Sequence, residues 1–535
     1  MNSFDIIIIG TGAGGGTMAY ALAETGARIL LVERGDFVPQ EPQNWDPASV
    51  WKDLRYRTPE EWIDGEGRDF NPYTHYNVGG NTKFWGSVLY RLRREDFGAI
   101  EHFDGVSPAW PIDYETLAPF YDRAERLYRV SGATGEDPTE PPHGSPYPFP
   151  AVPHAEGMAR IAERLRAEGL HPSPLPLGLV DPGGAGGCVL CRTCNSFVCR
   201  IHRKSDADVI AVRPAAAQPN VTLWTKACAR RLITDATGRR VDAVEVEKDG
   251  AVLVVRAPLV VVSCGAVNSA ALLLGSTDRH PDGVANGSGL VGRRYMAHLA
   301  TMLEGVQWRT NRDEFQKTLA INDFYLHGPG TPYPLGQVQS QGRTHAVMAK
   351  AVGDNWVYKG IEMRHIPLWA YEAWVSRATD WLAMTEDLPN PDNRVRVQSD
   401  GRIVLEYRPN NVRAHARLVE VLRGLLGRLG FWSPHVFAHS AGPKNTTHQC
   451  GTIVFGNDPA TSVLDPFCRA HDVRNLFVVD ASFFPSSAAV NPGLTIIAQA
   501  LRVADHIKAN YLGVAQISRH ADEAEAQTQM GARRP

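Results

Sequence analysis

The N-terminal residues open with an apolar run that predicts a fully buried strand. Phe4 to Ile9 includes four consecutive isoleucines and no alternation of polar and apolar positions, which is typical of a central strand in a parallel sheet. Similar short apolar runs recur at Ala27 to Val32, Leu259 to Val262 and Leu476 to Val479. The pattern predicts a buried sheet whose strands come from distant parts of the chain.

Apolar residues at three- and four-residue spacing predict the helices. We expect helices at Thr17 to Thr25, 113–131, 154–169, from about Asn268, and from Gly493 to about Ile507. Further strands are expected at Val221 to Leu223, Val241 to Val246 and Val252 to Val255.

The start of the last helix carries strong local signals. Asn491 is expected to be its N-cap and Pro492 its first helical residue, since an asparagine side chain can accept from the free N–H groups and proline lacks an N–H. Beyond Gly513 the chain is polar and charged, so residues 513–535 are expected to be a disordered tail.

The fold class that these patterns predict is α/β, or α+β when the whole chain is considered. A Rossmann-like nucleotide-binding domain is expected from 1–100, 200–300 and 440–512, with a helical and loop insertion at 101–199. Residues 301–439 are rich in aromatics and arginine and lack a glycine fingerprint. They are expected to form a substrate-binding domain on a mainly antiparallel sheet with helices.

The first strand runs into a glycine-rich turn that favours a dinucleotide site. Gly10, Gly12 and Gly15 follow the GxGxxG spacing, which permits a tight turn, close approach of a pyrophosphate, and close helix–strand packing. The pyrophosphate is expected at the N-terminus of the following helix. Glu33 ends the second strand, where such folds hold an adenosine ribose.

Composition and charge exclude several classes of function. The chain has 535 residues, of which 43% are hydrophobic and 21% charged, with a formal net charge of −3. This charge gives no general attraction to nucleic acid, and no apolar run approaches membrane-spanning length. The first strand begins too early for a signal peptide, so a cytoplasmic location is expected, with export alongside a partner left open.

Cysteine usage adds a second candidate site. Four of the eight cysteines fall within twelve residues: Cys188, Cys191, Cys194 and Cys199. Such spacing favours metal or redox chemistry over disulfides in a reducing compartment, and structural zinc or packed reduced thiols are the alternatives. Cys228, Cys264, Cys450 and Cys468 are interpreted as isolated core thiols.

Together, several motifs resemble the glucose–methanol–choline (GMC) family of flavin oxidoreductases. They are the GTGAGG turn with Glu33, the Gly79-Gly80-Asn81 turn with Trp85-Gly86, the stretch Ser263 to Ser269, His448 to Thr452, Asp480-Ala481-Ser482, and Asn491 to Thr495. They occur in family order over nearly the whole chain. Within the family, the chain looks most like pyranose oxidases and bacterial glycoside 3-oxidases.

The resemblance implies FAD as cofactor, His448 as catalytic base and Asn491 as the residue that positions the same hydroxyl. Phe84 occupies the position where fungal pyranose oxidases carry a flavin-linking histidine, so the FAD is expected to be non-covalent. The resemblance implies the following cofactor-binding residues: Gly10, Gly12, Ala13, Gly15, Glu33, Arg34, Gly79, Gly80, Asn81, Phe84, Gly86, Ser87, Gly265, Asp480, Ala481, Pro492 and Thr495.

The expected activity is oxidation of a secondary hydroxyl of a pyranose or glycoside, such as a C-glycoside at carbon 3, to a ketone. Electrons would pass to dioxygen or another acceptor. The first alternative is a dehydrogenase subunit with an iron–sulfur cluster on the four cysteines and a cytochrome partner. The second is a flavin-binding protein without catalysis. A small partner subunit or a homo-oligomer is left open.

Overall fold

The computed structural model describes residues 4–353, 357–358, 361–439 and 447–512. Its strands, in chain order, are β1 (Ile6–Ile9), β2 (Ile29–Val32), β3 (Trp62–Asp64), β4 (Asp69–Phe70), β5 (Ile100–His102), β6 (Gly105–Ser107), β7 (Val130–Gly132), β8 (Phe149–Pro150), β9 (Pro172–Pro174), β10 (Leu177–Gly178), β11 (Val221–Trp224), β12 (Ala227–Thr234), β13 (Val241–Lys248), β14 (Ala251–Val255), β15 (Leu259–Val262), β16 (Leu299–Val306), β17 (Leu319–Ile321), β18 (Gln337–Ser340), β19 (Val357–Tyr358), β20 (Ile361–Glu362), β21 (Ala378–Thr385), β22 (Arg394–Val397), β23 (Ile403–Glu406), β24 (Trp432–His439) and β25 (Leu476–Val478).

The α-helices of the same residues are α1 (Ala13–Ala23), α2 (Tyr114–Leu127), α3 (Glu156–Ala167), α4 (Arg213–Ala216), α5 (Ala266–Leu274), α6 (Ala346–Gly353), α7 (Leu368–Val375), α8 (Val412–Arg428) and α9 (Gly493–Ile507). Helix α1 begins four residues before the predicted Thr17, because its first turn is made of small residues that the sheet packs against. The predicted tail, 513–535, lies outside the described residues.

The four apolar runs of the sequence lie in one parallel sheet. Its strand order is β11–β2–β1–β15–β25, and Ile6 to Ile9 of β1 pair with Leu259 to Val262 on one side and Ile29 to Val32 on the other. All residues of β1, β2 and β15 are buried. The predicted buried parallel sheet is confirmed.

Backbone-to-backbone contact at the carboxyl end of this sheet explains its glycines. An ideal Cβ on Gly10 would lie 2.2 Å from Ser263 O, one on Gly14 would lie 2.1 Å from Val479 O, and one on Gly15 would lie 2.1 Å from Gly10 O. Only residues without a side chain permit this approach. The start of α1 is therefore fixed against three strand ends at once.

A second, antiparallel sheet forms another wall of the main cavity, which also borders the carboxyl end of the parallel sheet. Its strand order is β24–β16–β21–β18–β17–β9. One face carries Leu303 and Trp381, which pack in a separate core with residues of α3 and α8. Since side chains alternate across a strand, the neighbouring row, Met302, Leu382 and Gln339, lies on the opposite face, and all three line the main cavity.

The fold class predicted from the sequence is confirmed: a Rossmann-like parallel sheet accompanies a mainly antiparallel sheet with helices. Two pairings cross the predicted domain limits. Strand β9, from the 101–199 segment, pairs with β17, and β23 pairs with β3. The exact division into domains remains a prediction. Among the described helices, none combines the length and apolarity needed to cross a membrane.

A matched pair of glycine substitutions tests the close packing at α1. Gly14→Ala should lower the free energy of unfolding by about 1–3 kcal/mol or more, because the added methyl meets backbone that cannot rotate away. Gly12→Ala is the control, since its Cβ would find nothing within 4 Å. Thermal unfolding of the two apoproteins measures the difference, and equal midpoints would contradict the packing argument.

Candidate active site

A cavity of about 1450 Å³ lies between the carboxyl end of the parallel sheet and the antiparallel sheet. This volume exceeds the range of about 300–1,000 Å³ that is usual for a single small ligand. Its walls come from the glycine turn after β1, the turn at 79–88, the start of α5, the segment around His448 and the start of α9. The cavity can therefore hold a long dinucleotide together with a second molecule.

The floor of the cavity is formed by two glycine turns in contact. An ideal Cβ on Gly80, which has a φ of +55°, would lie 3.4 Å from Gly12 Cα. Gly12 precedes α1, and no side chain caps that helix. The free N–H groups at its first turn therefore face a site suited to a phosphate.

Thr11 joins Glu33 to the second glycine turn. Its amide, at 3.2 Å, and its hydroxyl both donate to Glu33 Oε2, while the hydroxyl accepts from Gly79 N at 3.0 Å. Gly35 N donates to the other carboxylate oxygen at 2.9 Å. Burial raises the pKa of Glu33, and these donors oppose that shift. The carboxylate thus borders the cavity in a fixed orientation.

Asp480 also lines the cavity, and its carboxylate is likewise held by hydrogen bonds from neighbouring segments. One carboxylate oxygen accepts from Gly265 N, at 3.0 Å, and from the Ser269 hydroxyl, and the other accepts from Ser482 N at 2.9 Å. Burial raises the pKa of Asp480, which these hydrogen bonds oppose. Asp480 therefore clamps the start of α5 to the end of β25.

A buried ion cluster holds the second glycine turn in place. Lys83 Nζ lies 2.8 Å from Asp208 and 3.1 Å from Asp206. Burial alone would lower the pKa of Lys83, but the two carboxylates raise it. The Thr82 hydroxyl also accepts from Ala207 N at 2.9 Å. These contacts fix the turn to residues 206–208 beside the cavity.

Phe84 and His75 stack along the cavity wall, with ring centroids 3.7 Å apart. His75 Nδ1 lies 2.8 Å from Tyr56 O, and its Nε2 has no hydrogen-bond partner among the described residues. Burial lowers the pKa of His75 to about 4. His75 is therefore a neutral imidazole with one ring nitrogen to spare.

His448 lines the same cavity in a constrained conformation. Its φ is +56°, in the left-handed region, which costs a residue with a side chain about 1–3 kcal/mol. The chain that follows His448 is fixed, because Cys450 N donates to Met296 O at 2.9 Å and Gly451 N donates to Ala481 O at 3.1 Å. These contacts on its C-terminal side help to hold His448 in its strained conformation.

A second histidine determines which nitrogen of His448 carries the proton. His298 Nε2 lies 3.1 Å from Ser487 O, so it must donate to that carbonyl. In the neutral ring, His298 Nδ1 is then an acceptor, and it lies 3.0 Å from His448 Nδ1. His448 must therefore donate from Nδ1, which leaves its Nε2 as an acceptor with a lone pair on the side of Asn491 Nδ2.

Electrostatics keeps both imidazoles neutral. Burial lowers the pKa of His448 well below its ordinary value, and the neighbouring His298 and Lys317 lower it further. Burial also lowers the pKa of His298. A neutral His448 with its Nε2 lone pair exposed to the cavity is suited to accept a proton from a bound hydroxyl.

Asn491 lines the same cavity, but it does not cap α9. The N-cap of α9 is Pro492, with no side-chain hydrogen bond, so the predicted Asn491 cap is wrong. Instead, Asn491 Nδ2 lies 3.4 Å from His448 Nε2. Its Oδ1 is buried and has no partner in the described part of the chain, and its NH₂ group has a second N–H that can donate to a hydroxyl oxygen.

Most of the predicted site residues line this one cavity. They are Gly10, Gly12, Ala13, Glu33, Arg34, Gly80, Asn81, Phe84, Gly86, Ser87, Gly265, His448, Asp480, Ala481, Asn491 and Pro492. Gly15, Gly79 and Thr495 are absent from its walls. Gly15 packs on Gly10, Gly79 on Asp208, and the Thr495 hydroxyl bonds with Tyr121 OH at 2.8 Å, so all three have structural contacts instead.

Several cavity residues were missed by the sequence analysis. His298, Lys317 and Gln339 line the cavity, but no motif marks them, because strand pairing between distant segments brings them there. Thr11 was overlooked inside the glycine turn. Its hydroxyl type, directly before Gly12, was the only local signal.

The cysteine-rich segment lies against the cavity. Asn195 and Ser196 line the cavity, and Ser196 N donates to Phe84 O at 3.0 Å. All eight cysteines are free. Among the described residues, the four sulfurs of the segment are not gathered as a ligand set. Burial raises the pKa of Cys188 to about 11 and that of Cys194 to about 12, which keeps these two as thiols.

Comparison with known proteins adds sequence evidence to this geometry. Residues 180–300 and 389–500 match the two profiles described as GMC oxidoreductase. Paromamine 6'-oxidase of Streptomyces fradiae is 32% identical over 97% of this chain and 92% of its own. The chain belongs to the GMC oxidoreductase family. It is thus an FAD-dependent oxidoreductase that acts on alcohol groups.

Two further relatives agree with this membership. The GMC protein 6'''-hydroxyparomomycin C oxidase of Streptomyces lividus is 32% identical over 95% of this chain and 92% of its own. The solved structure of pyridoxine 4-oxidase from Mesorbium loti has a TM-score of 0.67, covering 95% of this chain and 100% of that one at 20% identity. The structural likeness shows the fold.

The cavity of this GMC chain fits the family's cofactor. Gly12 leaves its cavity side bare where a Cβ would project, and Glu33 borders the cavity near the free end of α1. Trp85 Nε1 and Ser87 Oγ are buried without partners among the described residues. When bound, FAD supplies an acceptor for a hydride. The described residues of the cavity supply surfaces that can hold it, together with the His448 imidazole and the Asn491 amide.

The mode of FAD attachment can be tested directly. Phe84 cannot form a covalent bond to the flavin, so acid precipitation should release yellow FAD into the supernatant. Flavin that stays with the pellet would contradict non-covalent binding. His75→Ala is then the next variant, because His75 Nε2 is unpartnered in the described residues and faces the same cavity.

The neutral state of His448 predicts an unusual pH dependence. A base works in its unprotonated form, which prevails above its pKa, and that pKa lies well below 6.5. Flavin reduction by saturating alcohol should therefore stay constant through pH 6.5 and decline only at lower pH. Anaerobic stopped-flow absorbance between pH 4.5 and 7.5 measures it. A half-maximal rate at pH 6.5 or above would contradict the assignment.

Proposed function

We propose that this chain oxidises a hydroxyl group of a sugar or glycoside, with FAD bound non-covalently. In this proposal His448 Nε2 takes the hydroxyl proton and Asn491 orients the hydroxyl, while the hydride passes to the cofactor. The observation that carries the proposal is the pairing of a neutral, tautomer-fixed His448 with the Asn491 amide, whose Nδ2 lies 3.4 Å from His448 Nε2, in a dinucleotide-sized cavity.

The roles follow from the chemistry of the two side chains. A hydroxyl can donate its proton to His448 Nε2 and accept from the Asn491 amide group, which lies 3.4 Å from that nitrogen. Asn491 does not compete for the proton, because an amide has no basic site at this pH. The hydroxyl is thus held with its C–H bond in a fixed orientation, which is what hydride transfer requires.

The cofactor contacts are proposed at the residues that line the nucleotide end. The start of α1 would meet the pyrophosphate, Glu33 the ribose, and the 80–88 turn together with Ala481 and Pro492 the flavin. Gly265 and Asp480 would shape the wall between them. Gly15, Gly79 and Thr495 are proposed to act through packing only.

A more specific question is which carbon of the sugar carries the hydroxyl group that is oxidised. The resemblance to glycoside 3-oxidases favours a secondary hydroxyl at carbon 3, and the names of two relatives favour position 6 of a glycoside ring. Both outcomes use the same base. NMR of the product formed from a methyl glucoside and from paromamine distinguishes a ketone at carbon 3 from an aldehyde at carbon 6.

The electron acceptor, partners and location remain predictions. Dioxygen or another electron acceptor is expected. The dehydrogenase alternative is supported by the position of the cysteine-rich segment beside Phe84, but its four sulfurs are not gathered as a ligand set in the described chain. The paired His448 and Asn491 argue against a flavin-binding protein without catalysis. A cytoplasmic location, no nucleic-acid partner, and a small subunit or homo-oligomer are likewise predictions.

Replacing the base tests the proposed function. His448→Ala should keep FAD bound, because the proposed cofactor contacts lie elsewhere, and should slow flavin reduction by about 10²–10⁴-fold. Asn491→Ala should cost less, since the base remains. Anaerobic stopped-flow reduction by methyl glucoside or paromamine, with flavin content checked first, measures both.

The exposed His327 provides the matched control, and His327→Ala should reduce flavin at the wild-type rate. If His448→Ala kept near-normal rates at full flavin occupancy, His448 would be a structural residue and the proposed mechanism would fail.

A further inference from the structure

The part of the cavity lined by His448 and Asn491, here called the reaction end, contains a buried cation that the proposed mechanism does not use. Lys317 is only 4% exposed and lines the cavity together with His448. Its Nζ donates to the side-chain oxygens of Asn195, at 2.7 Å, and Gln341, at 3.2 Å. Both acceptors are neutral amides. No carboxylate of the described residues forms an ion pair with it.

An isolated buried charge is expensive unless something compensates it. An ammonium group has three donors, and the described contacts of Lys317 account for two of them. The third can face the cavity. Nζ lies directly against Gly86, where an added Cβ would come within 2.0 Å of it.

A second unsatisfied group lies on the same wall. Gln339 is 1% exposed, and neither its Oε1 nor its Nε2 has a hydrogen-bond partner in the described parts of the chain. Gln339 and Gln341 are two residues apart on the strand β18 and its extension, so they point to the same side of the sheet. Gln341 bonds to Lys317, which places the cation beside this amide.

The carboxylates that could balance a second positive charge are already engaged. Among the described residues that line the cavity, the acids are Glu33, Glu60 and Asp480. Glu60 pairs with Arg34 at 2.8 Å, and Glu33 and Asp480 accept from backbone and hydroxyl groups. Of the residues that the structure describes, those around Lys317 and His448 therefore offer one cation and several amide groups, and no unengaged acid.

We infer that Lys317 and Gln339 bind oxygen substituents of the substrate and select sugars that carry hydroxyl groups there over sugars that carry an ammonium group. This inference rests on the proposed function, since it names the substrate class of the same site. A hydroxyl oxygen can accept from the Lys317 ammonium and from the Gln339 amide. An ammonium group at that point would meet a like charge in a poorly solvated cavity.

Three matched probes test the selectivity: methyl glucoside, its 2-amino-2-deoxy analogue and the corresponding 2-acetamido sugar, which has the added bulk without the charge. With wild-type holoenzyme, kcat/KM for the amino sugar should be at least tenfold below that for the glucoside. Lys317→Met should raise KM for the glucoside. It should also reduce the difference in kcat/KM between the glucoside and the amino sugar to about twofold. Gln339→Leu should raise KM for all three probes without changing their order.

Lys248→Met is the control, because Lys248 lies on β13 and its Nζ pairs with Asp249, away from the cavity. It should leave every ratio unchanged. An amino sugar oxidised as well as the glucoside by wild type would overturn the inference. So would an equal loss for all probes in Lys317→Met, which is the result of a purely structural role.

The pH dependence gives an independent signature. Burial lowers the pKa of Lys317 to about 8, and the titratable groups that interact with it are His448, Cys194 and Lys204. KM for the glucoside should therefore rise above about pH 8 in wild type and stay flat in Lys317→Met. A rise that persists in Lys317→Met would assign the titration to another group and count against the inference.

Calorimetric binding separates this inference from the proposed catalysis. In the His448→Ala holoenzyme, where turnover is suppressed, the glucoside should bind at least tenfold more tightly than the amino sugar. The preference should disappear in His448→Ala/Lys317→Met. Selective binding without flavin reduction in wild type would refute the proposed function and leave the inference standing. Equal binding, or no binding of any probe, would refute the inference.

Discussion

The contact of backbone with backbone at the carboxyl end of the parallel sheet is the constraint on which the site depends. Gly10, Gly14 and Gly15 bring α1 within reach of Ser263 and Val479, where no side chain fits. This fixes the free end of α1, and Thr11, next to it, links Glu33 to Gly79. The nucleotide end of the cavity therefore follows from the packing of one short turn, and an error there would displace every contact built on it.

The reaction end depends on a different device, a relay of hydrogen bonds that begins at a backbone carbonyl. Ser487 O can only accept, so His298 donates to it and in turn accepts from His448. The proton on His448 is thereby kept on the nitrogen that faces away from Asn491. A left-handed φ at His448 adds strain, which persists because Cys450 and Gly451 on its C-terminal side are pinned to other segments.

The sequence was informative where structure is local. Four isoleucines before a glycine turn predicted β1 and the nucleotide site, because the strand and turn depend on neighbours within a few residues. Asn491 shows the opposite: its capping signal was local, but its side chain is directed to His448 and the cap is absent. His298, Lys317 and Gln339 could not be predicted, because their meeting depends on strand order and register, such as Gln339 facing Leu382 on β21.

The acids that line the cavity and the cation Lys317 differ in how their charges are compensated, and this difference affects the chemistry of His448. Among the described residues, the acids that line the cavity are matched by donors or by an arginine, whereas Lys317 contacts neutral amides near His448. The same cation that lowers the pKa of His448 makes it a weaker base, yet it keeps the imidazole unprotonated and ready. In the proposed mechanism a weaker base would suffice if the carbon lost its hydride as its hydroxyl lost the proton, because the forming carbonyl makes that proton easier to remove. Positive charge beside His448 would therefore keep the imidazole unprotonated without preventing the proposed proton transfer.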